Sequence, residues 1–364
     1  MKVLHVVNAA DEQSIPLELA LAISDRRQGM VIASFYDRSD HPAVGRAADV
    51  RQVKADGAFD KLAIRRLRDL MRDVQPDIVH MHHTVSAFWC TRVAAGMKPR
   101  PVLVKTEHND HRFLPWHQRV INPMVYPFVS RIVCNSDTTL QSFSRLEGWL
   151  TKNKRQRIYN GVDLRRVRAH APSGTRTAPV GNGPVIIGNV GRLVPQKNQR
   201  RLIEALALAR SQSGRDIRLE IVGDGKLRAE LEGAASAAGV AGSVTFCGGI
   251  PREEVYQRLY EWDGFVMPSV FEGFCNALVE ALAAGLPVAV SAIDTLREVA
   301  GTDQLTFDPH DTLQMAEALI RIADGRRDIG AFADRYDIGY AVDKHLELYE
   351  TLCGVRARGN QAAA

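Results

Sequence analysis

Twice along the chain, short runs rich in Val and Ile alternate with longer stretches whose apolar residues recur every three or four positions, and this double alternation narrows the possible folds more than any other feature. Residues 2–8, 31–36, 77–82, 101–106 and 131–135 read as strands bounded by turn or polar residues. Residues 17–23 and 61–74 (KLAIRRLRDLMRDV) carry helical spacing between them. Over residues 165–184 (RRVRAHAPSGTRTAPVGNGP) the pattern dissolves, then restarts with strands at 185–190, 218–222, 244–247, 264–267, 287–291 and 304–307. Helices fit 198–209, 225–238, 251–261, 276–284, 312–323 and 340–353. Strands separated by helices form parallel sheets with crossover connections. The reading is α/β: one Rossmann-like domain over 1–170, a linker at 171–184, a second Rossmann-like domain over 185–335, and a terminal helix over 336–356 that packs back toward the first domain.

At 364 residues, with 45% hydrophobic and 24% charged residues, each half can bury a core and extensive disorder is excluded. Cys90, Cys134, Cys247, Cys275 and Cys353 form no Cys-x-x-Cys pair, so neither a zinc site nor a disulfide framework is indicated, and a reducing compartment is expected. The opening MKVLHVVNAADE is too short an apolar run for a signal peptide, and no run reaches 18 apolar residues; the expected location is cytoplasmic. Residues 1–180 hold 28 Lys and Arg against 17 Asp and Glu, and the remainder holds 19 against 25. The basic half would attract anionic lipid headgroups, a phosphate-bearing lipid acceptor or nucleic acid, or is solvated charge on helix faces; on the membrane reading Arg65, Arg66, Arg68 and Arg72 are the cations, and the protein would sit peripherally on the inner face of the plasma membrane. No aromatic-interleaved basic module points to nucleic acid.

Ligands of such folds gather at the carboxyl ends of the strands. In Pro268-Ser-Val-Phe-Glu-Gly-Phe-Cys-Asn-Ala-Leu-Val-Glu280, Glu272 lies in a loop, Gly273 lets a ligand approach the backbone beside Phe274, and the first-turn N–H groups at Asn276, Ala277 and Leu278 suit an anion. Glu280 can accept hydrogen bonds from the vicinal hydroxyls of a ribose. Gly191-Arg-Leu-Val-Pro-Gln-Lys197 offers two cations, Arg192 and Lys197, for a diphosphate. It satisfies neither the Walker A nor the dinucleotide pattern. Val222-Gly-Asp-Gly225 permits close backbone approach at Gly223 and Asp224, for a base or as a plain turn. No Asp-x-Asp pair occurs, so metal-independent chemistry is expected and no metal ligands are assigned.

These motifs, together with Tyr159-Asn-Gly-Val-Asp163, resemble the retaining glycosyltransferases of family 4 in order and spacing over residues 159–290. The resemblance implies two domains facing across a cleft, the GT-B architecture, with a nucleoside-diphosphate sugar, UDP- or GDP-linked, as donor and no tightly bound cofactor. It implies Glu272 at the donor sugar, Glu280 on the ribose, Arg192 and Lys197 on the diphosphate, and the base at the backbone from Gly248 to Ile250. In the first half Thr106-Glu-His-Asn-Asp110 resembles the segment whose histidine faces acceptor and sugar, making His108 the catalytic candidate, with Asn109, His82 and His83 on the acceptor side. His82 and His83 equally suit structural caps. Many members carry a Gly-Gly-x-Glu loop after the first strand; here it reads Asn8-Ala-Ala-Asp-Glu-Gln-Ser-Ile-Pro-Leu-Glu18, with Asn8 and Ser14 as the polar replacements. The expected activity is transfer of a sugar to a hydroxyl of a glycan or lipid-linked acceptor, in surface polysaccharide or lipopolysaccharide assembly. A non-hydrolysing sugar-nucleotide epimerase and a nucleotide-sugar-binding scaffold without turnover are the alternatives.

Overall fold

The computed structural model describes residues 1–10, 14–36, 49–172, 183–301, 304–325 and 333–362, the last eight by backbone alone. Most of the 171–184 linker lies outside the described residues. The chain forms two compact units: Met1–Gly161 with Ile338–Ala364, and Val162–Asp337.

Unit 1 is a seven-stranded parallel sheet, β1 (Val3–Val7), β2 (Met30–Tyr36), β3 (Asp49–Ala55), β4 (Ile78–Met81), β5 (Val102–Glu107), β6 (Arg131–Cys134) and β7 (Arg155–Arg157), in the order β3-β2-β1-β4-β5-β6-β7. Helices α1 (Ile15–Arg26), α2 (Lys61–Val74), α3 (Thr84–Ala95), α4 (Trp116–Val125), α5 (Asp137–Gln141) and α6 (Arg145–Leu150) connect them. The two strands that sequence patterning misses, β3 (DVRQVKA) and β7 (RQR), are the outer edges of the sheet. Edge strands bury little, so charged side chains replace the apolar run that marks central strands.

Helix α2 shows how the local code works. Asp60 caps it by accepting from the N–H groups of Leu62 and Ala63, Ala63, Leu67, Met71 and Val74 are buried along one side, and Gln75 ends it in the left-handed conformation. Ser14 caps α1 by accepting from Leu17 N–H at 3.4 Å.

Unit 2 is a six-stranded parallel sheet, β8 (Val185–Val190), β9 (Ile217–Val222), β10 (Val244–Gly248), β11 (Gly264–Met267), β12 (Val288–Ser291) and β13 (Leu305–Phe307), in the order β10-β9-β8-β11-β12-β13. Its helices are α7 (Leu164–Arg168), α8 (Gln199–Ser213), α9 (Arg228–Ala237), α10 (Arg252–Glu261), α11 (Asn276–Ala283), α12 (Asp294–Ala300) and α13 (Thr312–Ala323). The first unit ends at Gly161 and not at residue 170, because α7 packs on α11 and its Arg168 ion pairs with Asp334. Helix α14 (Ile338–Ala362) belongs to unit 1, where Val342, Leu348, Tyr349 and Leu352 join Val3, Ile23 and Ile78 in one core. Among the described residues no helix is long and apolar enough to cross a membrane.

The strand-end loops of unit 2 are locked by backbone contacts. Gly191 N–H donates to Val222 O, Leu193 N–H to Asp224 O, and Gly223 N–H to Gly248 O, at 2.8 to 3.0 Å. Gly223 has φ +135°, and a Cβ there would stand 2.1 Å from Gly191 O. Gly223→Ala is expected to destabilise unit 2 by about 2 kcal/mol or more through strain and overpacking; an unchanged midpoint in urea denaturation would contradict the packing described.

Candidate functional site

In unit 2 the loop after β8 carries Arg192, exposed, and Lys197, largely covered. Lys197 Nζ donates to Glu272 Oε1 at 2.6 Å. Burial works against the ammonium, but Glu272 beside it more than compensates, holding Lys197 above its ordinary value and therefore charged. Glu272 is fixed from its own loop as well, since Thr295 Oγ1 donates to its carbonyl at 3.0 Å and Gln196 Nε2 donates to Phe271 O at 2.9 Å. Removing one partner of a buried ion pair strands the other charge, so each of these groups depends on its partner.

Cys275, at φ +88° in the left-handed region, opens α11. Burial raises its thiol to about 12, and Glu272, Lys197 and Glu280 all act on it electrostatically, while Arg192 acts on Lys197. Lys197 and Glu272 thus stand beside the residue that opens α11, whose carbonyl accepts from Leu278 N–H at 3.2 Å, with Arg192 on the Lys197 loop and Glu280 further along the helix. Gly273 precedes this helix. Phe274 is buried edge-on against Tyr336, with centroids 5.2 Å apart, and Leu278 is fully buried, so both side chains belong to the core.

Glu280 is buried and accepts from Arg252 Nη2 at 2.8 Å. Sequence reasoning named no partner for it; a buried carboxylate requires one, and the only available signal was an arginine just after the Gly248 to Ile250 segment. Asp224 is exposed and its Oδ1 accepts from Gly225 N–H at 2.7 Å, so the motif here is a self-closed turn braced on the Arg192 loop.

In unit 1 the candidate histidines sit at the carboxyl ends of β4 and β5 and join a longer buried chain. His5 on β1 is in register with His80 on β4. Thr106 Oγ1 meets His80 Nε2 at 2.7 Å, His80 Nδ1 meets Tyr349 Oη at 2.5 Å, and Tyr349 Oη meets His5 Nε2 at 3.3 Å. His5 Nδ1 then meets His82 Nε2 at 3.4 Å, and His82 Nδ1 meets His108 Nε2 at 3.3 Å. A neutral imidazole has one donor and one acceptor nitrogen, so the bonds from His5 through His82 to His108 run in one direction and the tautomers of these three rings are coupled. Burial lowers His5 and His108 to about 3, and drives His80 and His82 well below the ordinary range. His83 occupies the N-cap of α3 without a side-chain capping bond, so it is not a side-chain cap; its ring lies 5.9 Å from that of His108. Asn109 is exposed.

Beneath His108 is a charged cluster. Fully buried Lys105 ion pairs with Glu107, Tyr126 Oη donates to Glu107 at 2.8 Å, and His111 lies 3.0 Å from Glu147. Burial opposes each charge, yet the carboxylates raise His111 to about 9, and Lys105 and His111 hold Glu107 well below the usual carboxylate range. Ligand nitrogens of His5, His80 and His82 come within 4.8 Å of one another, the sort of group that could hold a metal. Each of those nitrogens already has a hydrogen-bond partner in the chain described above.

The family model "Glycosyltransferase Family 4" matches residues 18–166, and "Glycosyl transferases group 1" matches 177–336. The 2-deoxystreptamine glucosyltransferase of Streptomyces kanamyceticus is 32% identical over 186 residues, 48% of each chain. The GDP-mannose-dependent alpha-(1-6)-phosphatidylinositol dimannoside mannosyltransferase of Mycobacterium tuberculosis (strain ATCC 25177 / H37Ra) is 32% identical over 182 residues, 47% of this chain and 43% of that one. The matches span about half the length of these curated relatives. The crystal structure of Anabaena Alr3699/HepE in complex with UDP and glucose superposes with a TM-score of 0.78 at 20% identity, covering 96% of this chain and 99% of that one. With both halves matched and the two-sheet α/β fold shared, the chain belongs to the GT-B glycosyltransferases, and its matched models are consistent with family 4.

In the unfolded chain histidines charge below about pH 6.5, whereas His5, His80, His82, His83, His108 and His345 stay neutral when folded, the last of them down to about 4. Unfolding below pH 6.5 therefore takes up protons, and stability falls with pH by up to roughly 1.4 kcal/mol per pH unit for each ring. His111 acts oppositely: its contribution is full below 6.5 and lost as pH rises through about 9. The urea midpoint of unit 1 is expected to be clearly lower at pH 5 than at pH 7; equal midpoints would contradict the neutral chain.

Proposed function

We propose that the protein transfers a sugar from a nucleoside diphosphate to a hydroxyl of a glycan or lipid-linked acceptor, retaining the anomeric configuration, in assembly of a surface polysaccharide or lipopolysaccharide. The observation that carries this reading is the Lys197–Glu272 ion pair, which joins the loop after β8, where Arg192 also lies, to the loop that leads into α11. Two cations and a set of backbone N–H groups suit a diphosphate that gains charge as the glycosidic bond breaks. The donor is UDP- or GDP-linked, and charge stabilisation by Arg192 and Lys197 removes the need for a metal. Curated relatives named as a 2-deoxystreptamine glucosyltransferase and as a GDP-mannose-dependent phosphatidylinositol dimannoside mannosyltransferase support a sugar donor, and the second supports a lipid-linked setting.

In this reading the bond from the anomeric carbon to the leaving phosphate oxygen breaks as the acceptor oxygen approaches from the same face. The acceptor proton passes to a phosphate oxygen, and no protein nucleophile takes part. Lys197 and Arg192 stabilise the departing diphosphate, and Glu272 orients Lys197 and meets the sugar. Glu280, held by Arg252, accepts from ribose hydroxyls, with the base along the backbone from Gly248 to Ile250. His108, neutral at physiological pH, exchanges hydrogen bonds with a sugar or acceptor hydroxyl, and His82, His83 and Asn109 belong to the acceptor side. The proposed location is the cytoplasmic face of an anionic membrane.

Two outcomes are expected. Lys197→Ala should lower kcat for sugar transfer by about a hundredfold or more, the range for loss of one transition-state charge partner, with a cooperative melting transition at a lower midpoint because Glu272 loses its partner; undiminished turnover would overturn the assignment. Thermal-shift screening with UDP, GDP and ADP and their sugars should show one nucleotide raising the midpoint, by less in Glu280→Gln than in the parent. A product that forms from donor without any acceptor would instead favour the epimerase.

A further inference from the structure

Seven of the eleven large apolar side chains exposed among the described residues fall in one stretch of unit 1: Phe113, Trp116, Val120, Met124, Phe128, Leu146 and Trp149. Trp116, Val120 and Met124 are spaced four apart on α4 and so form one stripe, while Asn122 and Val125 turn inward. Helix α6 packs on α4 and bears Leu146 and Trp149, three apart. The two tryptophans are 77% and 73% exposed, far beyond what a solvated surface ordinarily shows for this residue.

Charge gives the patch its partner. Residues 111–161 hold eight Lys and Arg against two acids, Asp137 and Glu147. Asp137 ion pairs with Arg157, and Glu147 is buried on His111. Of the cations, Arg112 is held by Asp110, an acid just before that stretch, while Arg119 donates to the carbonyls of Leu114 and Arg112; both stand beside the apolar stripe. Indole rings with a cationic surround fit the headgroup layer of a bilayer. A second copy of this face would set one basic surface against another. The α2 arginines singled out from sequence are a poorer surface: residues 56–75 hold five Lys and Arg against four Asp, with only Phe59 and Leu62 exposed.

We propose that the apolar face of α4 and α6 docks on an anionic lipid bilayer, with Trp116 and Trp149 entering the headgroup layer. The shelf begins five residues beyond His108 in the chain, so a lipid-borne acceptor would arrive beside the acceptor-side histidine. That consequence rests on the transfer reading, whereas the docking itself does not.

The full chain should float with phosphatidylcholine vesicles containing about 30% phosphatidylglycerol at low salt, with a blue shift of tryptophan emission. Trp116→Ser combined with Trp149→Ser, both exposed and so compatible with an unchanged melting transition, should weaken partitioning by about tenfold or more and abolish the shift. Arg65→Ala with Arg68→Ala should bind within about twofold of the parent, since α2 is nearly charge-balanced. Failure of the parent to float, equal flotation of the tryptophan double variant, or a parent dimer that the same variant dissociates would each overturn the proposal; the dimer would assign the face to a second copy. Nucleotide thermal shifts on the same preparations separate the two readings: a lost shift with intact flotation counts against transfer alone.

Discussion

A charged lysine held inside unit 2 is the constraint around which the candidate donor site is organised. Lys197 remains an ammonium because Glu272 lies 2.6 Å away, and that proximity requires two loops, from the ends of β8 and β11, to keep a fixed separation. Backbone bonds from Gly191 and Leu193 to the Val222–Asp224 turn supply one side of that rigidity, and Thr295 and Gln196 supply the other. The glycines of the turn are needed for the close approach of two backbones. Preorganised charge of this kind is the form of stabilisation that costs no rearrangement at the moment of reaction.

Unit 1 solves the opposite problem. Its candidate acceptor side is built from uncharged imidazoles, linked ring to ring and reaching Tyr349 of α14, 241 residues after His108 in sequence. Directly below lies a compact group of full charges, Lys105, Glu107, His111 and Glu147. Burial alone neutralises a histidine, whereas burial next to a carboxylate charges it, which is why His108 and His111, three residues apart, occupy opposite protonation states near neutrality.

How far the sequence conveyed this differs by element. Central strands and the longer helices of unit 2 were readable, the strands because Val and Ile runs buried on both faces leave a strong signal. The edge strands β3 and β7 were not, being polar; α4 to α7 and α12 were passed over as short or weakly periodic, and α3 because its apolar residues surround the helix and leave no one-sided period. Motif spacing singled out Lys197, Glu272 and Glu280 as chemistry-bearing residues, but not that Lys197 and Glu272 pair with each other, because they lie 75 positions apart. Arg252 as the partner of Glu280, and His5, His80 and Tyr349 as neighbours of His82, required the sheet register and the return of α14, which no local pattern encodes. The exposed tryptophans illustrate a further limit: a sequence shows that Trp116 and Trp149 exist, but only the fold shows that they face outward.

Hydrogen–deuterium exchange on the full chain, with and without the nucleoside diphosphate that raises its melting point, addresses the central claim most directly. If the diphosphate sits where the charges converge, protection should concentrate in residues 191–198, 248–252 and 271–278. Protection confined to other segments, or none despite saturating nucleotide, would contradict the account.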